Sequence, residues 1–214
     1  MDAPQLKYRE KVAEHLIARL EKRRFEASYA ETALQAKKEV LSMIPEKAKV
    51  FRCGSTTMTQ IGFWDEVAEL PGIELIDPYL PGMTREESIE MRRSGMTADI
   101  MIASSNAVTL DGRLVNLDAV GNRVAAMCFG PAKVILVVGL NKVVADLDSA
   151  KQRVKHWAAP INAMRLNLDT PCAKTGLCAD CNSPQRICNM WTVFEGHMIQ
   201  GRIHVKLVGE DLGY

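Results

Sequence analysis

The sequence has no long apolar stretch and almost no net charge, and each absence excludes a class of protein. No segment of the 214 residues approaches the roughly 18 apolar residues that a membrane-spanning helix needs. Lysine and arginine total 27 against 26 for aspartate and glutamate, so the net charge of +1 gives no overall attraction to nucleic acid or acidic membranes. We therefore expect a protein that binds neither nucleic acid nor membrane.

Signatures of several enzyme classes are also missing. The chain has neither the GxGxxG pattern of a Rossmann dinucleotide site nor a Walker loop, and it has no GxSxG elbow. Its first residues, MDAPQLKYRE, are charged and do not form the apolar core of a secretory signal. The sequence gives little support to a dinucleotide-dependent enzyme or a serine hydrolase, and it predicts a cytoplasmic location.

What the sequence does contain is a cluster of four of its six cysteines, in the segment PCAKTGLCADCNSPQRICN. Thiols stay reduced in a cytosolic protein, and several thiols in one turn are the ligands that a soft metal or an iron–sulfur cluster needs. We predict that these cysteines bind an iron–sulfur cluster of the 4Fe–4S type. The predicted ligands are Cys172, Cys178, Cys181 and Cys188.

The spacing C-x5-C-x2-C-x6-C leaves other interpretations open. Tetrahedral zinc is the alternative metal, with His197 as a substitute ligand, and a thiol-redox role or four unconnected thiols also fit. The two remaining cysteines, Cys53 and Cys128, lie in apolar sequence and are expected to be plain small hydrophobic residues.

Apolar runs and helical patterns alternate along the chain. The predicted strands are 49–53, 73–76, 99–103, 134–138 and 203–208, and the predicted helices are 5–24, 30–43, 56–69, 85–94 and 146–159. This alternation predicts an α/β fold with a mainly parallel sheet, preceded by two N-terminal helices, the last predicted helix ending at Pro160. Asp111-Gly112 between two β-rich runs predicts an inserted hairpin.

Polar turns follow the predicted strands and the hairpin. Because ligands bind beyond the carboxyl ends of parallel strands, we expect these turns to form a pocket for a small anionic substrate, with Arg123 and Lys142 as its cations. N-capping also explains the turn at Ser55, and the hairpin turn itself explains Asp111. The candidate ligand-binding residues are Gly54, Ser55, Thr56, Asn106, Asp111, Asn116, Asn122, Arg123, Asn141 and Lys142.

These elements together resemble the LUD domain family, named for lactate utilisation proteins. The resemblance lies in GSTTMTQIGFWDEV, in the series AVTLDGRLVN, GNR, GP and VGLNK, and in DSAKQRVKHWAAPINAMRL, and one branch of the family has a similar cysteine-rich tail. It implies a fold like that of the NagB/RpiA/CoA-transferase superfamily. It also implies a role in oxidising lactate or a related 2-hydroxy acid, with other subunits of a lactate-oxidising system as partners.

The resemblance divides the chain into N-terminal helices at 1–45, which pack on the main domain, and a LUD domain at 46–214 that includes the cysteine-rich segment 171–189. Two other hypotheses about the function remain open. One is a non-redox enzyme or small-anion-binding protein with structural zinc, and the other is a non-catalytic assembly subunit. The sequence leaves open whether the protein is catalytic alone and whether it forms a homo-oligomer.

Overall fold

The computed structural model describes residues 2–214, and its strands form two sheets. The strands are β1 (Glu26–Ala30), β2 (Lys49–Arg52), β3 (Glu74–Ile76), β4 (Ile100–Ala103), β5 (Ala107–Thr109), β6 (Leu114–Asp118), β7 (Lys133–Gly139), β8 (Val143–Val144), β9 (Met190–Phe194) and β10 (Ile203–Val208). Six of them make the main sheet in the order β1-β10-β7-β4-β2-β3, and every neighbouring pair is parallel. The predicted α/β fold with a mainly parallel sheet is confirmed.

Helices cover both faces of the main sheet. They are α1 (Ala3–Lys22), α2 (Ala33–Ser42), α3 (Thr56–Gln60), α4 (Phe63–Glu69), α5 (Arg85–Ser94), α6 (Asn122–Cys128), α7 (Leu147–Arg153), α8 (Ala159–Arg165) and α9 (Pro171–Thr175). Thr84 caps α5 as predicted, since its side chain accepts a hydrogen bond from the Glu87 N–H. No helix within residues 2–214 combines the length and the apolarity that crossing a bilayer requires.

Alternating residues of the central strand β7 enter two separate hydrophobic clusters. Val134, Leu136 and Val138 pack on the face that α1 covers, whereas Ile135 and Val137 pack on the face that α2 and α4 cover. All five are fully buried. A strand covered on both faces loses the polar alternation of a half-exposed strand, which is why this segment is a continuous apolar run in the sequence.

The second sheet contains the predicted hairpin. Its order is β8-β5-β6-β9, with β5 and β6 antiparallel across the Asp111-Gly112 turn. Gly112 has a φ of 90°, and a Cβ there would lie 2.9 Å from the backbone oxygen of Arg19. Only glycine therefore fits where this turn meets α1. The hairpin belongs to its own sheet and lies beside the carboxyl edge of the main one.

Three predicted boundaries were wrong. The two N-terminal helices do not both precede the first strand, because β1 lies between them and pairs with β10 at the sheet edge. The sequence of β1, EASYA, contains no apolar run, because only Ala30 of this strand is buried, and the strand was therefore missed. The helix predicted over 56–69 is two helices, α3 and α4.

The helix that begins after Asp146 does not end at Pro160. It continues from α7 through a π-helical segment, Val154–Ala158, into α8. Pro160 occupies the first turn of α8, where the wider π turn changes the hydrogen-bond register. The helix therefore reaches Arg165 and covers one side of the carboxyl edge of the sheet.

Candidate functional site

A cavity of about 650 Å³ opens where the parallel strands of the main sheet end. Its floor comes from the segments that follow β2, β4 and β7, and Tyr79 and Tyr214 come from the segments that follow β3 and β10. Residues 117–123 close one side, and the π segment and α8 close another. This is the edge at which open α/β sheets bind ligands.

The wall of the cavity is strongly cationic. It contains five basic side chains, and within residues 2–214 Asp118 is its only acidic side chain. The basic side chains are Arg52, Arg92, Arg123, Lys142 and Arg165. A concave wall of one sign concentrates oppositely charged small molecules, so the cavity is suited to an organic anion.

Lys142 lies at the bottom of this cavity with only 3% of its surface exposed. Its Nζ donates hydrogen bonds to the Thr57 Oγ1 at 2.8 Å and the Ser104 Oγ at 3.0 Å. Burial lowers the pKa of Lys142 to about 7, and the positive charges of Arg153 and Arg123 act in the same direction. Near neutral pH this amine is therefore present in both the charged and the neutral form.

Arg123 is held by Asp118. Its Nε donates to the Asp118 Oδ1 at 3.0 Å, its Nη1 to the Ser104 carbonyl at 2.9 Å and its Nη2 to the Asn106 Oδ1 at 2.7 Å. The second Asp118 oxygen accepts from the Val124 N–H at 3.1 Å. Every group is paired, so this buried ion pair fixes the polar wall and leaves little free positive charge on Arg123.

Another part of the cavity wall is built around Tyr79. The guanidinium groups of Arg52 and Arg92 each lie 5.6 Å from the Tyr79 ring centroid, and Arg52 also pairs with Asp77 at 2.8 Å. A Cβ on Gly54 would lie 2.7 Å from the Tyr79 hydroxyl, so glycine permits this approach. The Nε of Arg92 is buried and has no hydrogen-bond partner in the described chain.

Arg165 and Tyr214 line the side of the cavity formed by α8. The Arg165 Nε donates to the Tyr214 Oη at 2.6 Å and to the Asn162 Oδ1 at 3.1 Å. Thr56 Oγ1 donates to the same tyrosine oxygen at 3.0 Å. These contacts connect α8 to the turn that follows β2.

Seven of the ten predicted ligand-binding residues come together in this wall. They are Gly54, Ser55, Thr56, Asn106, Asn122, Arg123 and Lys142. The Ser55 side chain accepts from the Met58 N–H at 3.3 Å, so it also caps α3. Whether these residues bind a ligand stays a prediction.

The structure does not bring the other three to the cavity wall. Asp111 lies at the hairpin turn in an ion-pair cluster with Arg23 and Arg113. Asn116 is fully buried, and its Oδ1 accepts hydrogen bonds from the Ser105 hydroxyl and the Asn106 N–H. Asn141 holds the last segment of the chain through the Leu212 N–H and the Gly213 carbonyl. Each of these contacts shapes the turns around the cavity.

Sequence reasoning missed Arg52, Tyr79, Arg92, Arg165 and Tyr214. Arg52 ends β2 and Tyr79 follows β3 by three residues, so the strand-end rule that found Lys142 could also have found these two. Arg92 and Arg165 lie on helices, and no local signal distinguishes them from other helical arginines.

The cysteine loop, residues 171–189, lies beside the cavity. Its Ile187 lines the wall, and its Asn189 N–H donates to the Asp118 carbonyl at 3.1 Å. The Arg186 guanidinium donates to the carbonyls of Cys181 and Cys188 and to the Asp180 carboxylate. Lys155 binds the same carboxylate from the π segment at 2.8 Å. The loop is therefore anchored to the helix and to the cavity wall.

The four loop cysteines are free and partly buried. Partial burial raises the pKa of the Cys188 thiol, the neighbouring Cys172 and Cys178 raise it further, and Lys155 opposes them. These three thiols thus lie close enough for their charges to interact. Over residues 2–214, no group of three or more His, Cys, Asp or Glu side chains is arranged to hold a metal ion.

The remaining cysteines differ from each other. Cys53 is 1% exposed, as expected for a core residue, and burial raises the pKa of its thiol strongly. Cys128, in contrast, is exposed at the end of α6. The next residue, Phe129, is also exposed, so the apolar residues at this end of α6 lie at the protein surface.

Comparison with known proteins identifies a family. The family model of the LUD domain matches residues 13–208. None of the curated proteins compared with the chain matches it. Among solved structures, the chain is similar to a DUF162 family protein from Deinococcus radiodurans, with 13% identity over 94% of this chain and 98% of that one and a TM-score of 0.49.

Two further similar structures are sugar-phosphate isomerases. Ribose 5-phosphate isomerase from Plasmodium falciparum is 15% identical over 53% of this chain and 52% of that one, with a TM-score of 0.35. A D-ribose-5-phosphate isomerase in complex with phospho-erythronic acid is 16% identical over 52% and 53% of the two chains, with the same TM-score. Similarity this distant carries no information on function. Because the family model spans most of the sequence, the protein belongs to the LUD domain family.

Proposed function

We propose that this protein binds lactate or a related small 2-hydroxy acid in the cavity and takes part in its oxidation, as one component of a multiprotein system. The cationic wall is the observation that carries the proposal, because the cavity's only acidic side chain within residues 2–214 is already paired with Arg123. Arginine and lysine are the usual protein partners of carboxylates. Membership of the LUD family, named for lactate utilisation, favours this anion over others.

Lys142 suits the hydroxyl end of such a substrate. Its amine and the hydroxyls of Thr57 and Ser104 form a compact polar group at the bottom of the cavity. With a pKa lowered to about 7 by burial, the neutral amine can take up the hydroxyl proton when the substrate is oxidised, while the hydride from the hydroxyl-bearing carbon passes to a two-electron acceptor supplied by another component of the system. The guanidinium of Arg165, on the adjacent side, can bind the carboxylate.

Calorimetric titration with L-lactate tests this proposal, with propionate as the analogue that lacks the hydroxyl. We expect lactate to bind more tightly than propionate to the wild type. Lys142→Met should abolish that preference. We expect this variant to fold, because it replaces a buried amine that has no ion-pair partner by an apolar side chain. Lys151→Met, at an exposed lysine of α7, is the matched control and should bind like the wild type. Equal affinity for the two acids in the wild type would refute the proposal.

We further propose that the cysteine loop holds an iron–sulfur cluster. The donor chemistry supports this, since four partly buried thiols come from one segment with the cations Lys155 and Arg186 beside it. Because the described arrangement does not converge three ligands, binding requires the loop to close around the cluster. Bound there, a cluster would supply one-electron transfer next to the cavity.

Anaerobic reconstitution, followed by iron and sulfide analysis and an absorption spectrum, tests the cluster. We expect iron and a visible band in the wild type and in Cys53→Ser, whose thiol lies in the core. Cys178→Ser and Cys181→Ser should each lose both. Stoichiometric zinc without a visible band would replace the cluster by the structural zinc alternative, and a protein that retains neither metal would remove both.

A further inference from the structure

The cavity is far larger than a three-carbon acid requires. A volume of about 650 Å³ falls in the range of roughly 300–1,000 Å³ that encloses drug-sized ligands. Lactate at Lys142 would leave most of this space unfilled and the buried Arg92 Nε without a partner. The size and the charge distribution of the wall therefore indicate a longer occupant.

The cations of the cavity wall that the protein leaves exposed to a ligand fall into two groups. The first, the lysine pole, consists of Lys142 after β7 and Arg165 on α8. The second, the tyrosine pole, consists of Arg52 at the end of β2 and Arg92, both stacked on Tyr79. In the sheet order β7-β4-β2-β3, β7 lies two strands from β2 and three from β3, so with strands about 4.8 Å apart the strand ends that precede the two poles are roughly 10–14 Å apart.

Each pole keeps positive charge that the protein does not neutralise. Arg52 pairs with Asp77 and Arg123 with Asp118. Arg92, Arg165 and Lys142 form no ion pair with any carboxylate of residues 2–214. The Nε of Arg92 is in addition a buried donor without an acceptor, and such donors are rare in folded proteins unless a ligand or water supplies the partner. Within the tyrosine pole, Arg52 is therefore paired, whereas the Nε of Arg92 lacks an acceptor in the described chain.

We propose that the cavity binds two anionic groups at once, as the two ends of one elongated organic dianion whose charged groups lie roughly 10 Å apart. One end lies at the lysine pole and the other is bound by Arg92 over Tyr79. The assignment of the lysine pole rests on the proposed function, in which that pole takes the carboxylate of a 2-hydroxy acid. The tyrosine pole adds a second carboxylate or a phosphate to the substrate class.

The test is calorimetric titration with dicarboxylates of increasing length, namely succinate, adipate, suberate and sebacate, at a pH below 7, where Lys142 carries charge. Octanoate serves as the monoanion matched to suberate. We expect affinity to rise with length to a maximum at suberate or sebacate, with suberate at least about tenfold tighter than octanoate. Affinity that does not depend on length, or an equal affinity for octanoate, would overturn the proposal.

Variants at adjacent positions of α5 locate the second pole. Arg92→Gln should reduce the affinity for suberate to that for octanoate, and Arg92→Lys should recover part of it by restoring the charge. Arg93→Gln changes an exposed arginine that pairs with Glu90 on the same helix, and it should bind suberate like the wild type. If Arg92→Gln and Arg93→Gln behave alike, the tyrosine pole is not a binding site.

The outcomes separate this inference from the proposed function. Lactate preferred over propionate without any preference for dianions would leave the proposed function standing and remove the second pole. Tight binding of dianions without any preference for lactate would do the reverse.

Discussion

Among the side chains of the cavity, Lys142 should contribute most to the pH dependence of anion binding. Burial, with Arg153 and Arg123 nearby, lowers its pKa to about 7. Below that pH the amine is charged and attracts an anion, and above it the amine becomes neutral. We therefore expect the affinity for L-lactate to fall as pH rises from about 6 to 8.5, by up to about tenfold for each pH unit above the pKa.

Calorimetric titration across this pH range measures the effect, with Lys142→Met as the variant that should show no such change. A wild-type affinity that stays constant over the range, or a fall of the same size in the variant, would contradict the assignment.

Asp118 should matter for stability as well as for the site. Its carboxylate and the Arg123 guanidinium are 9% and 12% exposed, so Asp118→Asn leaves a buried positive charge unpaired. We expect the free energy of unfolding to fall by about 3 kcal/mol in a urea titration. Asp111→Asn removes a carboxylate that is 44% exposed and also paired with arginine, and it should cost less than about 1 kcal/mol. Equal losses in the two variants would show that burial does not set the value of the pair.

The candidate site could be predicted from sequence only where a residue follows a strand. Asn106 and Lys142 follow β4 and β7, and their place at one sheet edge follows from the parallel topology. Arg123 follows β6 of the second sheet, so its polar turn marked it but the parallel topology did not place it. Arg92 and Arg165 reach the cavity because α5 and α8 present particular faces to it. Which face a helix presents depends on tertiary packing, so nothing near these residues in the sequence marks them.

At the scale of elements, the strands that form apolar runs in the sequence were predicted, whereas β1, β8 and β9 were not. The central strand β7 is a continuous apolar run, and the Asp-Gly turn identifies the β5–β6 hairpin. β1 and β9 lie at the edges of the two sheets and have one buried residue each, so neither forms a buried apolar run. The helix end predicted at Pro160 was wrong for a different reason, because the π segment before Pro160 allows the helix to continue past the proline.

The cysteine loop has no regular secondary structure for most of its length. The side chain of Arg186 links two parts of it. This guanidinium joins the carbonyls of Cys181 and Cys188. We expect Arg186→Gln to open the loop, so that the loop thiols of the metal-free protein react several times faster with a thiol-labelling reagent. The control is Lys174→Gln, which changes a lysine of the same loop and removes its exposed ion pair with Asp169. Equal labelling rates in the two variants would show that Arg186 does not close the loop.

At the scale of the whole molecule, the parallel sheet determines where the site lies. All six strands of the main sheet run the same way, so their carboxyl ends share one edge, and the second sheet, the π segment and α8 form walls around it. The sequence predicted the α/β class and this edge because both follow from the alternation of elements. It could not predict the strand order β1-β10-β7-β4-β2-β3, which brings Lys142 and Tyr79 into the wall of one cavity.

The most direct test of the central claim is a crystal structure of the protein with L-lactate. Our account predicts lactate at the carboxyl edge of the main sheet, with its hydroxyl in hydrogen-bond distance of Lys142, Thr57 or Ser104 and its carboxylate on Arg165. Lactate bound outside this cavity, or in it with its carboxylate turned away from every cation of the wall, would contradict the account.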